Sequence, residues 1–311
     1  MKIVCITPIK HLDGVYESLE SNKNITDLYY EPNVTKEELN KLLIKTAAYY
    51  LFTNPNKQNF ILDEDVLKYT NVKVINTAST GLNHIDLDYC NSNNIEVWSL
   101  KEDYKLINDL PSTSELAFGL MMSLLRKIPS GFDHVKKGGW DYEPFVGHQV
   151  KGKTIGVVGY GRLGKIMCRL FDGWGVNLLG YDPNVFVTTA RGVPMDDLLK
   201  ESDVVFLHVH VTDDTRGMVD GEFLSKMKKG SYLINTSRGE LVDEDSIIKS
   251  IGDGHLHGYG TDVITDEFGD FEKSKLVEMS RFSDKIIITP HVGGMTIEGQ
   301  TKAYQWAVDK F

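Results

Sequence analysis

The stretch Thr154-Ile-Gly-Val-Val-Gly-Tyr-Gly-Arg-Leu-Gly-Lys165 decides how this chain is read. An apolar, strand-like run, TIGVV, leads into Gly159-Tyr-Gly-Arg-Leu-Gly164, and the residues that follow, KIMCRLFDGWG, have helix-like composition. A GxGxxG alone is a weak signal, equally read as a glycine-rich turn. Between a strand and a helix each glycine has its own role. The first allows a tight turn, the second lets the backbone approach a pyrophosphate, and the third lets the helix pack on the strand. The helix N-terminus adds N–H groups and a positive dipole. Asp182 closes the next strand-like run, VNLLGYD, 18 residues beyond Gly164. A carboxylate there can accept both ribose hydroxyls of NAD and repels the 2′-phosphate of NADP; its other reading is a solvated turn residue.

Outward from this loop, TIGVVG, VNLLGYD, DVVFLHV, SYLINTS, HGYGTDV and KIIITP read as six strands of a doubly wound pattern, with helix-like segments between most of them. A second alternating series, KIVCITP, AAYYLFT, VKVINTAS and IEVWSL, fills the chain from Met1 to about Leu100, with a polar stretch after the first of these runs. Alternating β and α of this kind implies parallel sheets and an α/β fold. Pro111–Arg126 reads as one long buried helix, apolar almost all round, with proline in its first turn. Lys127–Gly152 is polar, aromatic and without clear periodicity, too long for a simple connection. Thr296–Phe311 is helix-like and too short for a domain, so it is expected to pack on the first series.

At 311 residues, 41% hydrophobic and 25% charged, the chain has material for two cores. Its 34 Lys+Arg against 44 Asp+Glu leave a net charge of −10 and no basic stripe, which disfavours nucleic acid and anionic membrane surfaces as partners. MKIVCITPIKHLDG turns polar too soon for a signal peptide, and no run approaches the roughly 18 apolar residues of a membrane span. Cys5, Cys90 and Cys168 are widely spaced and in no metal-ligand pattern; no metal is expected, and the reducing cytoplasm is.

In a doubly wound parallel sheet the residues just past the strands share one edge, where ligands bind. Arg238 follows SYLINTS, Asp262 follows HGYGT with Glu267 five residues on, and His291 follows KIIITP and precedes Gly293-Gly294. A cation, a carboxylate pair and an imidazole are the groups that hydride transfer at a 2-hydroxy acid requires. The imidazole takes the hydroxyl proton, Glu267 when paired to it raises its basicity and fixes its tautomer, and the Arg238 guanidinium grips the substrate carboxylate and polarises the carbonyl. Taken singly, each has a plainer reading: Arg238 in a surface salt bridge, Glu267 as a solvated acid, His291 as a turn residue.

With VVGYGRLGK, YDP, INTSRGELVDED, GTDV with Glu267 after it, and ITPHVGG in this order, the chain resembles the D-isomer-specific 2-hydroxyacid dehydrogenases over nearly its whole length. The resemblance implies two Rossmann-like domains: a flavodoxin-like substrate domain of residues 1–100 plus 292–311, and an NAD-binding domain of 101–291. It implies a catalytic trio of Arg238, Glu267 and His291, with Asp262 supporting Arg238 and the nicotinamide end. Ser79, Thr80 and Gly81 match the loop whose amides hold the substrate carboxylate. Thr80, Arg162, Leu163, Val209, Thr236, Ser237, Arg238, Asp262, His291 and Gly294 join Gly159, Gly161, Gly164 and Asp182 along the cofactor. The implied activity is NAD-dependent hydride transfer at C2 of a small anionic 2-hydroxy or 2-oxo acid, a larger sugar-derived acid being one option. An NAD-sensing, corepressor-like binding protein on the same fold is the alternative.

His208 and His210 fall where the family often has histidine and then proline; both read as packing or cofactor-edge residues. At Asn54–Lys57 (TNPNKQNF) the arginine common in phosphoglycerate enzymes is missing, which demotes phosphoglycerate among the candidate substrates. No C-terminal regulatory domain follows, so serine feedback is not expected. The family further implies a homodimer through the NAD-binding domains, with the Lys127–Gly152 arm and its Trp140 and Phe145 wrapping the partner, and domain closure about hinges near residues 100 and 291.

Overall fold

The structure, a computed structural model, describes residues 1–54, 60–267 and 271–311. Strand β1 (Lys2–Cys5) shows why the first unit forms as it does. Ile3 and Cys5 face one core while Val4 faces another, and all three are fully buried. A strand covered on both faces belongs to a parallel sheet wrapped in helices. With β2 (Asp27–Tyr30), β3 (Tyr50–Thr53), β4 (Val74–Thr77) and β5 (Glu96–Ser99) it builds an all-parallel sheet of order β2-β1-β3-β4-β5, the flavodoxin-like order. One face packs on the helices Val15–Glu20 and Ile297–Val308, burying Phe52 against Ala303, Ala307 and Phe311. The other packs on Lys36–Thr46 through Leu39 and Leu43. That helix starts at a capping box in which Thr35 and Glu38 satisfy each other's backbone N–H.

The second unit has a seven-stranded parallel sheet. Its strands are β6 (Thr154–Val158), β7 (Asn177–Tyr181), β8 (Arg191–Gly192), β9 (Val204–Leu207), β10 (Ser231–Asn235), β11 (Leu256–Thr261) and β12 (Ile286–Ile288), in the order β12-β11-β10-β9-β6-β7-β8. The winding reverses between β9 and β6, the topological switch point at which such sheets bind ligands. Val204 and Phe206 point into one core and Val205 and Leu207 into the other. The helix Ser112–Leu125 covers the first of these through Leu120, Met121 and Leu124. Both units are α/β with parallel sheets, as the alternating pattern implies.

The units run Met1–Leu110 with Met295–Phe311, and Pro111–Gly294. The first thus extends past residue 100, because Leu100 and Ile107 are buried in its core. The second keeps His291–Gly294, which is bonded to Asp262. Strand β2 lies in the polar stretch and carries no alternation, being an edge strand with Asp27 exposed. The two-residue β8 is too short to carry a pattern either. Within Lys127–Gly152, which lacks clear periodicity in sequence, a helix spans Ile128–Lys136 and a 3-10 turn Glu143–Phe145. Ile128, Phe132 and Val135 recur at helical spacing there but face outward, so none of the helix is buried.

Candidate active site

The glycine loop sits at the C-terminal end of β6. Gly159 has φ +90°, and a Cβ on it would lie 2.3 Å from the His208 carbonyl at the end of β9. On Gly164 a Cβ would lie 2.1 Å from the Gly159 carbonyl, so the helix Arg162–Leu170 can only approach this closely without one. Gly161 differs: a Cβ there meets nothing within 4 Å, so its bareness keeps space open in front of the helix instead of permitting internal packing. Gly161 caps that helix with no side-chain bond, leaving first-turn N–H groups for an anion. This is the cradle a dinucleotide pyrophosphate requires. Two orphaned polar groups along the same edge also fit an absent ligand: the Thr236 hydroxyl and both His208 ring nitrogens are buried without a hydrogen-bond partner.

Asp182, one residue past β7, accepts from the Tyr160 N–H at 2.8 Å through Oδ2, and from Asn184 and Val185 at 2.8 and 3.0 Å through Oδ1. It organises the turn through three N–H groups, and Oδ2, which accepts only one of them, keeps a lone pair for a further donor. Arg162, behind the loop, is half-buried, and burial pulls its pKa down. Leu163 lends its carbonyl to Ser114, and Val209 packs beside Gly159.

At the end of β10, Asn235 shapes the turn that carries Arg238. Its amide accepts from Ser237 N–H at 3.0 Å and donates to the Arg238 carbonyl at 2.9 Å. Ser237 is tied back to the Leu207 carbonyl, and the half-buried Arg238 guanidinium donates to the Ser237 carbonyl. Asp262, past β11, is 2% exposed. Its oxygens accept from the Thr289 hydroxyl and from the N–H groups of Val292 and Gly293, while the His291 N–H donates to its carbonyl. Burial pushes its pKa up although these bonds and His291 oppose that. Its carboxylate secures the loop that presents His291.

His291 sits in that loop at φ +53°, a conformation unusual for a residue with a side chain. Its Nδ1 lies 2.8 Å from Glu267 Oε2. With the carboxylate taking Nδ1–H, the lone pair of the neutral ring is on Nε2, which has no hydrogen-bond partner among the described residues. Gly294 is exposed, with open space around it. In the order of the sheet, the edge thus reads His291, Asp262, Arg238, His208, Gly159, Asp182. His208 stacks over Phe206 and His210 is exposed.

In the first unit, Ser79–Thr80–Gly81 follows β4. The Ser79 hydroxyl bonds the Gly81 carbonyl at 2.6 Å, and Thr77 links Ser79 to the buried His84. Among the described residues the amides of Thr80 and Gly81 donate to nothing. Of the stretch Asn54–Lys57, Asn54 is bonded to Tyr304 and Lys57 lies outside the described residues. Sequence reasoning missed the structural work of Asp262, for which the TPHVGG segment gave no signal, and the bonds that Tyr160 makes around Asp182, for which a variable position inside GxGxxG gives none either.

Residues 118–293 match the family described as D-isomer specific 2-hydroxyacid dehydrogenase, NAD binding domain. The chain belongs to this family. Its second unit is the NAD-binding one, and it is an NAD-dependent dehydrogenase of the D-2-hydroxyacid class. It is 32% identical over 247 residues to a hydroxypyruvate reductase of Thermotoga maritima, covering 77% of this chain and 76% of that one. A D-3-phosphoglycerate dehydrogenase of Methanocaldococcus jannaschii is 31% identical over 310 residues, 97% of this chain but 55% of the other, so this chain spans about half the length of that relative. Among solved structures, the D-lactate dehydrogenase of Aquifex aeolicus, complexed with NAD and lactic acid, is 27% identical with a TM-score of 0.78, covering 100% of this chain and 94% of that one. These dehydrogenases and reductases do not favour the binding-protein alternative. Among the described residues no helix is long and apolar enough to cross a membrane, and no cluster could hold a metal ion.

Proposed function

We propose that the chain interconverts a small 2-oxo acid and its D-2-hydroxy acid, with His291 moving the proton, Glu267 holding His291, and Arg238 gripping the substrate. The observation that carries this reading is the 2.8 Å His291–Glu267 pair, which leaves Nε2 uncommitted on the edge that bears the glycine loop. The glycine loop and Asp182 would hold the dinucleotide, which would supply the hydride as NADH in reduction or accept it as NAD⁺ in oxidation. In reduction, protonated His291 gives its Nε2 proton to the C2 oxygen as negative charge develops there, and is reprotonated from solvent. Glu267 stabilises the imidazolium and fixes its orientation. Arg238 takes a substrate carboxylate oxygen and the carbonyl with its planar fork, polarising the C–O bond. In the first unit, the amides of Thr80 and Gly81, which donate to nothing among the described residues, suit a carboxylate and support reading that unit as the substrate-binding one. Thr236, Ser237, Val209 and Gly294 line the cofactor, and Asp182 accepts its ribose hydroxyls, favouring NAD over NADP.

The acceptor is a short acid, hydroxypyruvate being the first choice given the relative from Thermotoga maritima. The test is loss of NADH absorbance, with NADPH in parallel, against glyoxylate, hydroxypyruvate, pyruvate, phosphohydroxypyruvate and sugar-derived 2-oxo acids. Turnover with a short acid and preference for NADH support the reading, whereas NADH binding without turnover of any of them overturns it. Two further proposals concern the chain's surroundings. The Ile128–Lys136 helix and the loop after it expose Phe132 at 64%, Trp140 at 89% and Tyr142 at 79%, an apolar surface suited to a second copy, while Phe145 packs on His134. Light scattering that gives a monomer at micromolar concentration would sink the dimer. The buried free thiols of Cys5, Cys90 and Cys168 suit the cytoplasm.

A further inference from the structure

Tyr160, the variable residue between the first two glycines of the loop, is fully buried, its ring in the core with Met167, Cys168 and Phe171. Packing alone does not account for its bonds. Its N–H donates to Asp182 Oδ2 at 2.8 Å. Its hydroxyl accepts from the Thr189 N–H at 2.7 Å and is shared with the hydroxyls of Thr188, at 3.2 Å, and Thr189. Asp182 Oδ1 meanwhile holds the N–H groups of Asn184 and Val185. The chain from Asp182 to Thr189 is therefore closed at both ends by one residue, through its backbone at the start and its phenol at the finish. Over this short loop, Val187 lies so near Gly180 that a Cβ there would be 2.8 Å from it.

We propose that Tyr160 is the positioning residue for cofactor selectivity: it clamps the Asp182–Thr189 loop so that the carboxylate faces an unphosphorylated ribose and cannot swing away from a phosphorylated one. The proposal rests on the reading of Asp182 as the ribose-binding carboxylate. A fixed carboxylate discriminates because its charge and lone pairs are aimed beforehand; a mobile one retreats from a 2′-phosphate and pays an ordering cost to meet two hydroxyls.

The test is calorimetric titration of the full chain with NADH and with NADPH. Tyr160→Phe keeps the ring and the N–H bond and removes only the hydroxyl. Its NADH Kd rises about fivefold, the worth of one hydrogen bond, while the NADPH Kd holds or falls, so the preference for NADH shrinks by about the same factor. Amide exchange over 183–190 becomes faster. The double variant Thr188→Val/Thr189→Val, on an exposed segment, removes the hydroxyl partners of the phenol and shifts the preference in the same direction. Equal weakening of both cofactors makes Tyr160 merely structural and overturns the proposal. Asp182→Ala run alongside separates the two claims. If it abolishes the preference and the Tyr160 and Thr188/Thr189 variants leave it intact, the clamp is wrong; if Asp182→Ala itself leaves the preference intact, the ribose reading beneath it is wrong.

Discussion

Acid should destabilise the second unit through His208. Both ring nitrogens are buried and unpartnered, and the ring lies stacked over Phe206. Burial, with Arg162 adding to it, pushes the pKa from 6.5 down to about 4. The unfolded chain takes up a proton at about pH 6.5 that the folded chain refuses until about pH 4, so stability is full above the upper value and declines as pH falls between the two. A gap of that size corresponds to about 3 kcal/mol, with no further loss from this group below about pH 4. The comparison protein is His208→Gln, whose amide does not titrate. Because a two-unit chain need not unfold in one step, the readout is native-state hydrogen exchange of the slowest amides in β9 and β10, corrected for intrinsic rates. The opening free energy of the wild type relative to His208→Gln stays level near neutrality and drops by about 3 kcal/mol on approaching pH 4. Parallel curves throughout would refute the reasoning and mean that His208 is hydrated or paired in solution.

Three other outcomes follow from the site. His291→Ala lowers turnover by about 10²–10⁴-fold, the range of a lost general acid, with NADH affinity nearly unchanged in the same calorimetric titration; wild-type turnover would remove His291 from the proton step. Gly161→Ala folds with wild-type thermal stability, since its Cβ meets nothing, yet binds NADH at least tenfold more weakly, whereas Gly164→Ala lowers the melting temperature because its Cβ meets the Gly159 carbonyl. Asp262→Asn turns an NH₂ toward donors it cannot accept and costs about 2 kcal/mol in denaturant unfolding of the second unit; an unchanged midpoint would show that the Thr289–Gly293 loop stands without the carboxylate.

The fold is legible wherever strands are covered on both faces, because there sequence must be continuously apolar: TIGVV, VVFL and SYLIN each form the strand that their composition implies. It is illegible at edges. Asp27–Tyr30 has a neighbour on one side only and tolerates an exposed acid, and Arg191–Gly192 is too short for any period. The arm helix escapes sequence reading because its apolar stripe is there, at Ile128, Phe132 and Val135, but meets no core. At the site, sequence order and strand polarity are enough to bring Arg238, Glu267 and His291 to one edge of the unit. The pairing of Glu267 with the imidazole is read at the level of residue type and agrees with the 2.8 Å contact. The bonds of Asp262 to Thr289, Val292 and Gly293 are not recoverable that way, because only the fold of the loop brings those donors to its carboxylate.

The helix Ile297–Val308 belongs to the first sheet although 184 residues of another unit, Pro111–Gly294, are inserted before it. On the ribosome this sets an order of events. When the first five strands have emerged, Phe52, Ile3 and Cys5 still lack Ala303, Ala307 and Phe311 against which they pack. The inserted unit, contiguous in the chain, can complete its own core first, while the earlier one waits with an apolar face open to water and to other nascent chains. A protein built this way depends on a helix made after its second unit to finish a sheet made before it, and a ribosome stalled before residue 297 leaves one unit finished and the other with a sticky face.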